Sequence, residues 1–290
     1  MSASAIRRLL VGLFVVVGVV GAAVADERKE VAVEGAHLLF GDLAQIGAVS
    51  LFSRDGEHDF EIDGDDPALD RIDGRNHDLA GDLVGSGDRS GVATDVNASD
   101  IDIQDTAVTG SVSVQGAAAS FDIDQYVDFL RARADLILTE NTTYNGGSIG
   151  SSTDYQIVIA ENVQLFLDGG FTGYGVLVLY DTDPGQGQAQ LRMTDQAKWY
   201  GVILCYSGDT PGDSDKIRML FGDQLGGGGG VAAGEGVQVV GAVVAVGQEV
   251  EVEFPNSAVG DLLYSSAAIA NVDAMLLTKP YRWERWRETE

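Results

Sequence analysis

The chain contains few of the residues on which disulfides, metal sites and basic surfaces depend. Its 290 residues include one cysteine, three histidines and 18 lysines plus arginines, against 45 aspartates plus glutamates. A single cysteine excludes an intrachain disulfide and an all-cysteine metal site. The net charge of −27 and the lack of a basic run argue against nucleic-acid binding, because that function neutralises phosphates with lysine and arginine.

Proline is also scarce, with five residues, whereas the 38 glycines are roughly twice the average share. The glycines do not follow the triplet period of collagen, and a hydrophobic content of 45% is ample for a core. The composition therefore predicts a folded, turn-rich β protein.

The N-terminal 25 residues have the layout of an export signal. Arg7 and Arg8 precede the uncharged, apolar residues 9–25, which end in the small-x-small sequence Ala23-Val24-Ala25. This stretch is intermediate in length between a signal-peptide core and a full span, so a cleaved signal and a retained membrane anchor both stay open. In either case we expect the rest of the chain to be exported to the cell surface or extracellular space, with residues 9–25 contacting the membrane if they are retained.

The remainder divides into three predicted regions. Residues 26–53 carry apolar residues at three- and four-residue steps, which predicts a helical stalk. Residues 54–275 form the predicted β domain, and residues 276–290 a C-terminal tail. A covering helix is predicted over 122–138, because Ile123, Tyr126, Val127, Leu130 and Ala134 form one apolar stripe.

Within the β domain, apolar and polar residues alternate with a period of two. Glycine, aspartate and asparagine separate these segments, as turn residues do between short strands. The predicted strands include FEID (60–63), IDIQ (101–104), SVSVQG (111–116), YQIVIAEN (155–162), VQLFLDGG (163–170) and EVEVEF (249–254).

Three longer apolar blocks favour one β architecture over the others. The blocks are GVLVLYD (175–181), GVILCYS (201–207) and GAVVAVG (241–247), and each opens with a glycine. Strands that are apolar on successive residues are covered on both faces, as in parallel sheets. We therefore predict a single-stranded right-handed parallel β-helix in which these blocks stack in register, with the glycine-rich residues 222–236 as an insertion. A β-sandwich is the alternative.

The order of these pieces resembles the membrane-anchored, extracytoplasmic proteins of the PilX type, which take part in type IV pilus assembly. The resemblance covers roughly residues 60 to 270 and depends on Gly173 and Gly175, on Trp199 and Gly201, and on Tyr264-Ser265-Ser266. It implies a right-handed β-helix and a non-enzymatic surface role. Residues 1–25 lack the glycine and early glutamate of prepilins, which sets this chain apart from pilus-fibre subunits.

Candidate chemistry is sparse. His37, His58 and His77 are far apart in sequence, and Cys205 lies within an apolar strand, where burial makes a thiol inert. DTDPGQG (181–187) contains part of a calcium-loop pattern, so Asp181 and Asp183 are weak candidates for a Ca²⁺ site. We expect no catalytic or cofactor-binding residue.

Three functions stay open at this point. The first is an exported scaffold, possessing no enzymatic activity, in a pilus-like or other surface apparatus. The second is a carbohydrate-active β-helix enzyme, either a lyase or a hydrolase, with an acidic site near Asp181 and Asp209. The third is a calcium-dependent adhesin.

Overall fold

The computed structural model describes residues 46–53, 58–64, 67, 70–114, 123–181, 190–207, 216–222, 236–255 and 259–279. This part of the chain is mainly β, with two helices of eight or more residues. The predicted export segment, most of the predicted stalk, Asp183 and the glycine-rich insertion after Gly222 lie outside the described residues.

Nineteen strands are present in the described residues. They are β1 Val49–Ser53, β2 Asp59–Asp63, β3 Asp70–Asp73, β4 Val92–Thr94, β5 Ile101–Gln104, β6 Ala107–Thr109, β7 Val112–Val114, β8 Leu136–Leu138, β9 Thr142–Asn145, β10 Ser148–Ile149, β11 Gln156–Glu161, β12 Gln164–Asp168, β13 Thr172–Asp181, β14 Gln190–Met193, β15 Lys198–Ser207, β16 Lys216–Phe221, β17 Val237–Gly247, β18 Glu249–Glu253 and β19 Gly260–Tyr264. The helices are α1 Ile123–Arg131 and α2 Ser266–Thr278.

The strands form two sheets, and every pairing between these named strands is parallel. The first sheet has 12 strands in the order β6-β3-β19-β17-β15-β13-β11-β8, with β1, β4, β7 and β10 paired beside this path. The second has seven strands in the order β5-β2-β18-β16-β14-β12-β9. The antiparallel pairing typical of a sandwich is absent from these strands.

The three glycine-led blocks stack as predicted. Gly175 on β13 pairs with Gly201 on β15, which pairs with Gly241 on β17. All three adopt positive φ, at 127°, 137° and 150°. A Cβ at Gly241 would lie 1.8 Å from the carbonyl oxygen of Gly201, so only glycine allows the strands to approach this closely.

These glycines also divide the long strands into two halves with different neighbours. Residues 237–241 of β17 pair with β19, whereas residues 243–247 pair with β1. In β13, Thr172 and Gly173 pair with β10, and residues 175–180 pair with β11.

The strand order does not follow the chain order. β17, β18 and β19, the last strands in the sequence, pair with β1, β2 and β3, the first strands described. From there β4, β5, β6 and finally β7 continue outward, while β8 and β9 lie at the opposite edges of the two sheets. The N-terminal strands therefore extend the stack beyond the C-terminal strands, an arrangement that strand periodicity alone does not reveal.

The core lies between the two sheets. Cys205 of the first sheet donates a hydrogen bond to the sulfur of Met219 in the second, at 3.2 Å. Trp199 is fully buried, and its indole N–H donates to the carbonyl oxygen of Gly175 at 3.2 Å.

Both helices pack against the first sheet. The apolar stripe of α1 is buried as predicted at Ile123, Tyr126, Val127 and Leu130. The predicted helix 122–138 is too long, however, because Leu136–Leu138 is strand β8, paired with Val158–Ala160 of β11. Arg131 of α1 forms an ion pair with Glu161, and Asp124 accepts a hydrogen bond from the Tyr206 hydroxyl.

Helix α2 is not anticipated by the sequence analysis. The Ser265 side chain caps it by accepting a hydrogen bond from the Ala268 backbone N–H at 3.3 Å. Val272 lies over Gly201, and Lys279, at the C-cap of α2, pairs with Asp135. The helix extends beyond residue 275, the predicted end of the β domain, to Thr278.

The predicted stalk also needs a correction. Val49–Ser53 forms β1, which is buried at its start and pairs with Val243–Gly247 and with β4. The apolar residues of this region recur at helical spacing, but residues 49–53 form a strand because they pair with a neighbouring strand on each edge. None of the described helices is sufficiently long and apolar to span a bilayer.

Candidate functional site

The described structure shows no site built from the candidate Ca²⁺ ligands, histidines and cysteine of the sequence analysis. Asp181 ends β13, where its backbone pairs with Ser207, and Asp183 lies outside the described residues. The calcium site at these two positions therefore stays a prediction. Elsewhere in the described ranges, no group of three or more histidine, cysteine, aspartate or glutamate side chains is arranged to hold a metal ion.

Cys205 is buried in the core, as its apolar context indicated. Burial raises the pKa of its thiol far above the usual range, so the reactive thiolate does not form at neutral pH. The side chain packs as a small apolar group against Met219.

A group of charged side chains surrounds Asp73, at the end of β3. Its carboxylate is fully buried and accepts hydrogen bonds from the Arg75 guanidinium, the shortest at 2.6 Å from Nη2 to Oδ2. Arg71 Nη1 lies 3.8 Å from the same oxygen. Arg71 in turn donates from Nε to Asp261 Oδ1 at 2.9 Å, across the pairing between β3 and β19.

His77 is also part of this group of charged side chains, and the group was not predicted from the sequence. Its Nε2 lies 3.2 Å from Asp73 Oδ2, and its Nδ1 lies 2.8 Å from the carbonyl oxygen of Gly81. A carbonyl oxygen only accepts, so the proton of this contact is on Nδ1. The sequence signal was present in the alternating series Arg71, Asp73, Arg75 and His77, but it is recognisable only once β3 and the following turn place these side chains together.

Two opposing effects act on the pKa of Asp73. Burial acts to raise its pKa, but the hydrogen bonds from Arg75 and the positive charge of Arg75 outweigh burial and lower it. The carboxylate is therefore ionised at neutral pH and holds the surrounding cations in place. This is the chemistry of a structural clamp, since the carboxylate is buried and occupied by cations of the same chain.

The clamp fixes an ordered loop, residues 74–91, between β3 and β4. Asn76 donates from its side chain to the Ser86 carbonyl oxygen at 2.8 Å and accepts from the Ser266 backbone N–H at 2.9 Å. The His77 backbone N–H donates to the Tyr264 carbonyl oxygen at 2.9 Å. At the tip, Leu83 and Val84 are 53% and 52% exposed. The loop thus ties the N-terminal strands to the start of α2 and presents two apolar side chains to solvent.

A second charged region lies on the outer face of the seven-stranded sheet. Cross-strand neighbours there are acidic on β18, β2 and β5, where Glu251 pairs with Glu61 and Glu61 with Asp102. Arg218 of β16 lies 3.3 Å from Glu251, and its guanidinium donates to both oxygens of Glu253, at 2.5 and 2.6 Å. Burial, together with a hydrogen bond involving Glu251, raises the pKa of Glu253 to about 7 despite the opposing effect of Arg218.

Comparison of the chain with protein-family models, with curated proteins and with solved structures finds no match.

Proposed function

We propose that the chain is a non-enzymatic exported scaffold whose body is a single-stranded right-handed parallel β-helix. The observation that carries this proposal is the in-register parallel stacking of Gly175, Gly201 and Gly241. Consecutive strands from β11 to β18 alternate between the two sheets, and each strand from β11 to β17 pairs with the strand two positions later. That is the connectivity of a coil that advances by one strand spacing per turn, and parallel crossovers are right-handed in about 98% of cases.

The surroundings of the reactive groups support a structural role. The Asp73 carboxylate forms an ion pair with Arg75 of the same chain, and the Cys205 side chain is buried in the core. A stack of this kind functions through its length, its faces and its two end strands. The net charge of −27 keeps such bodies apart at low ionic strength.

The location of the scaffold follows from the sequence. Arg7, Arg8 and residues 9–25 would direct the chain across the membrane, as a cleaved signal or a retained anchor. The resemblance to PilX-type proteins supports a component of pilus assembly or of another surface appendage.

Deletion of the gene for this chain in the producing organism tests the proposed scaffold function. We expect loss of a surface appendage or of surface attachment, and restoration by the wild-type chain and by the double variant Asp181→Asn/Asp183→Asn. Gly201→Ala should not restore it, because that change disrupts the stack. Failure of the double aspartate variant, with normal folding, would instead favour the acidic enzyme or the calcium-dependent adhesin.

Fractionation tests the export and the anchor. The chain should be accessible to protease on intact cells. An alkaline carbonate wash should leave it in the membrane pellet if residues 9–25 are retained, and release it if they are cleaved. Recovery only in the cytoplasmic fraction would contradict the proposal.

A further inference from the structure

The C-terminal strands and the N-terminal strands meet at a junction that no short chain segment connects. We define the junction by its three strand pairs, β17 with β1, β18 with β2 and β19 with β3. Arg71 and Asp261, which form an ion pair across it, are 190 residues apart in sequence. Two separate parts of the chain thus dock edge to edge.

We propose that this junction exchanges between copies, so that β17, β18 and β19 of one molecule accept β1, β2 and β3 of a second. The proposal deepens the scaffold function given above by naming how copies assemble, but its test depends only on the strand pairing.

The junction surfaces are complementary in detail. In register, Val49 pairs with Val243, Phe60 with Val250 and Ile72 with Leu262, and these six side chains are buried. Hydrogen bonds continue past the strand ends, from the Asp59 N–H to the Gln248 carbonyl oxygen at 2.6 Å and from the Phe254 N–H to the Asp63 carbonyl oxygen at 2.8 Å. The Arg71–Asp261 ion pair adds a specific polar contact at the edge. A second copy offers the same surfaces and is therefore the occupant that this junction fits.

The described part of the covalent connection between the two parts lies away from the junction. After β7 at one edge of the stack, the chain continues through α1 and enters β8 at the other edge. Helix α1 contacts β15 through Asp124 and β11 through Arg131, so this helix packs on strands that do not belong to the junction. An exchanged molecule would keep every junction contact, and exchange of identical elements is a low-cost route to assembly because the same contacts form in both states.

Exchange across the junction can give closed pairs or open chains. β1 to β7 lie on one side of the junction and β8 to β19 on the other, so the two docking surfaces of a molecule are different. Two molecules that exchange reciprocally close into a pair, whereas exchange with successive copies continues head-to-tail into a linear assembly.

Cysteine pairs in the full chain test the exchange. In-register neighbours on parallel strands are about 4.8 Å apart, within the range that a disulfide spans. Two variants of different tag length, Arg71→Cys and Asp261→Cys, would be co-refolded at high concentration and oxidised. The matched control is Thr172→Cys with Lys198→Cys, an in-register pair on the consecutive strands β13 and β15.

We expect disulfide heterodimers between Arg71→Cys and Asp261→Cys in large excess over homodimers, rising with protein concentration, and none above random collision for the control. The double variant Arg71→Cys/Asp261→Cys, oxidised in dilute solution before it is concentrated, should form its disulfide within one chain and then give no higher-mass species. Sedimentation of the wild-type chain, refolded over a range of concentrations, gives a second readout that needs no substitution. A monomer at every concentration, or heterodimers no more abundant than homodimers, would overturn the exchange and leave the scaffold proposal to its own tests.

Discussion

Gly173 lies directly beside Trp199 in the stack of long strands. The two residues are in-register partners on β13 and β15, and a Cβ at Gly173 would lie 2.0 Å from the Trp199 ring. The missing side chain of the glycine is the space that the fully buried indole occupies. The first apolar block thus begins with Gly173-x-Gly175 and the second with Trp199-x-Gly201 because the indole packs in the space beside Gly173.

This relationship predicts strong coupling between the two positions. Gly173→Ala should destabilise the fold by about 1–3 kcal/mol through overpacking, and Trp199→Leu should cost about 2–4 kcal/mol through the cavity it leaves. In the double variant the new methyl group occupies part of that cavity, so the loss should be clearly smaller than the sum. Urea denaturation of all four proteins measures the coupling, and strictly additive losses would show that the ring does not fill this space.

The stacked glycines give a second prediction. Gly201→Ala should destabilise the fold by more than about 3 kcal/mol, since its Cβ would lie 2.1 Å from the Gly175 carbonyl oxygen and its φ is 137°. Gly147→Ala is the matched control, with φ of 82° but no atom within 4 Å of the added Cβ. The control should lose only about 1–2 kcal/mol, the cost of a positive φ. Equal losses would mean that strand approach is not the constraint.

The clamp at Asp73 predicts a specific dependence on pH. Asp73→Asn should lower stability at pH 7 by about 2–3 kcal/mol, because a buried carboxylate that accepts charged hydrogen bonds is lost. The pKa of Asp73 is lowered from its ordinary value of 3.8 by these contacts. Its contribution is therefore present above that value and disappears as the pH falls through the lower folded pKa.

Thermal unfolding of Asp73→Asn and wild type between pH 2 and pH 7 measures this effect. The stability difference between the two proteins should shrink at the acidic end. Asp102→Asn, an exposed position on β5, serves as control and should change stability little at any pH. A difference that is constant with pH would indicate that the Asp73 carboxylate is not the charged partner.

Glu253 should have the opposite pH dependence. Its folded pKa of about 7 exceeds its ordinary value of 4.5, so the folded state retains a proton that the unfolded state releases. Stability from this group is full below pH 4.5 and falls as the pH rises to 7. Glu253→Gln, which resembles the protonated form, should therefore reduce the loss of melting temperature between pH 5 and pH 8.

The control for this change is Glu140→Gln at an exposed turn. It should leave the pH dependence of the melting temperature unaltered. If Glu253→Gln steepens the decline, the ion pair with Arg218 stabilises the fold more than burial of the carboxylate destabilises it.

Local patterns were sufficient to predict much of the β region. Alternation identified the strands at 60–63, 101–104 and 249–254, and the apolar blocks indicated parallel, in-register pairing. These signals succeeded because side-chain burial in a strand has a fixed period, and because only glycine fits at Gly175, Gly201 and Gly241.

Other features depend on contacts that are remote in sequence. Leu136–Leu138 and Val49–Ser53 have helical spacing locally but become strands because they pair with β11 and β17. The Asp73 clamp requires the turn after β3 to bring His77 back over the strand, which three scattered histidines did not suggest. The position of the N-terminal strands beyond the C-terminal strands is invisible to any local pattern, because it is a property of the strand order.

Electron paramagnetic resonance between spin labels, with continuous-wave line broadening for the short distances and pulsed dipolar measurement for the long one, tests that strand order most directly. One column of in-register positions runs through Gln164, Gln190, Arg218, Glu251, Glu61 and Asp102. With Cys205 replaced by alanine, labels at 164 and 251 should be about 14 Å apart and labels at 164 and 102 about 24 Å apart, three and five strand spacings. If the strands instead followed chain order, β5 would lie next to β9, and the distance between 164 and 102 would fall to about 10 Å. We expect about 24 Å between labels at 164 and 102, although these positions are closer in sequence than 164 and 251. A distance of about 10 Å between labels at 164 and 102 would contradict the proposed strand order.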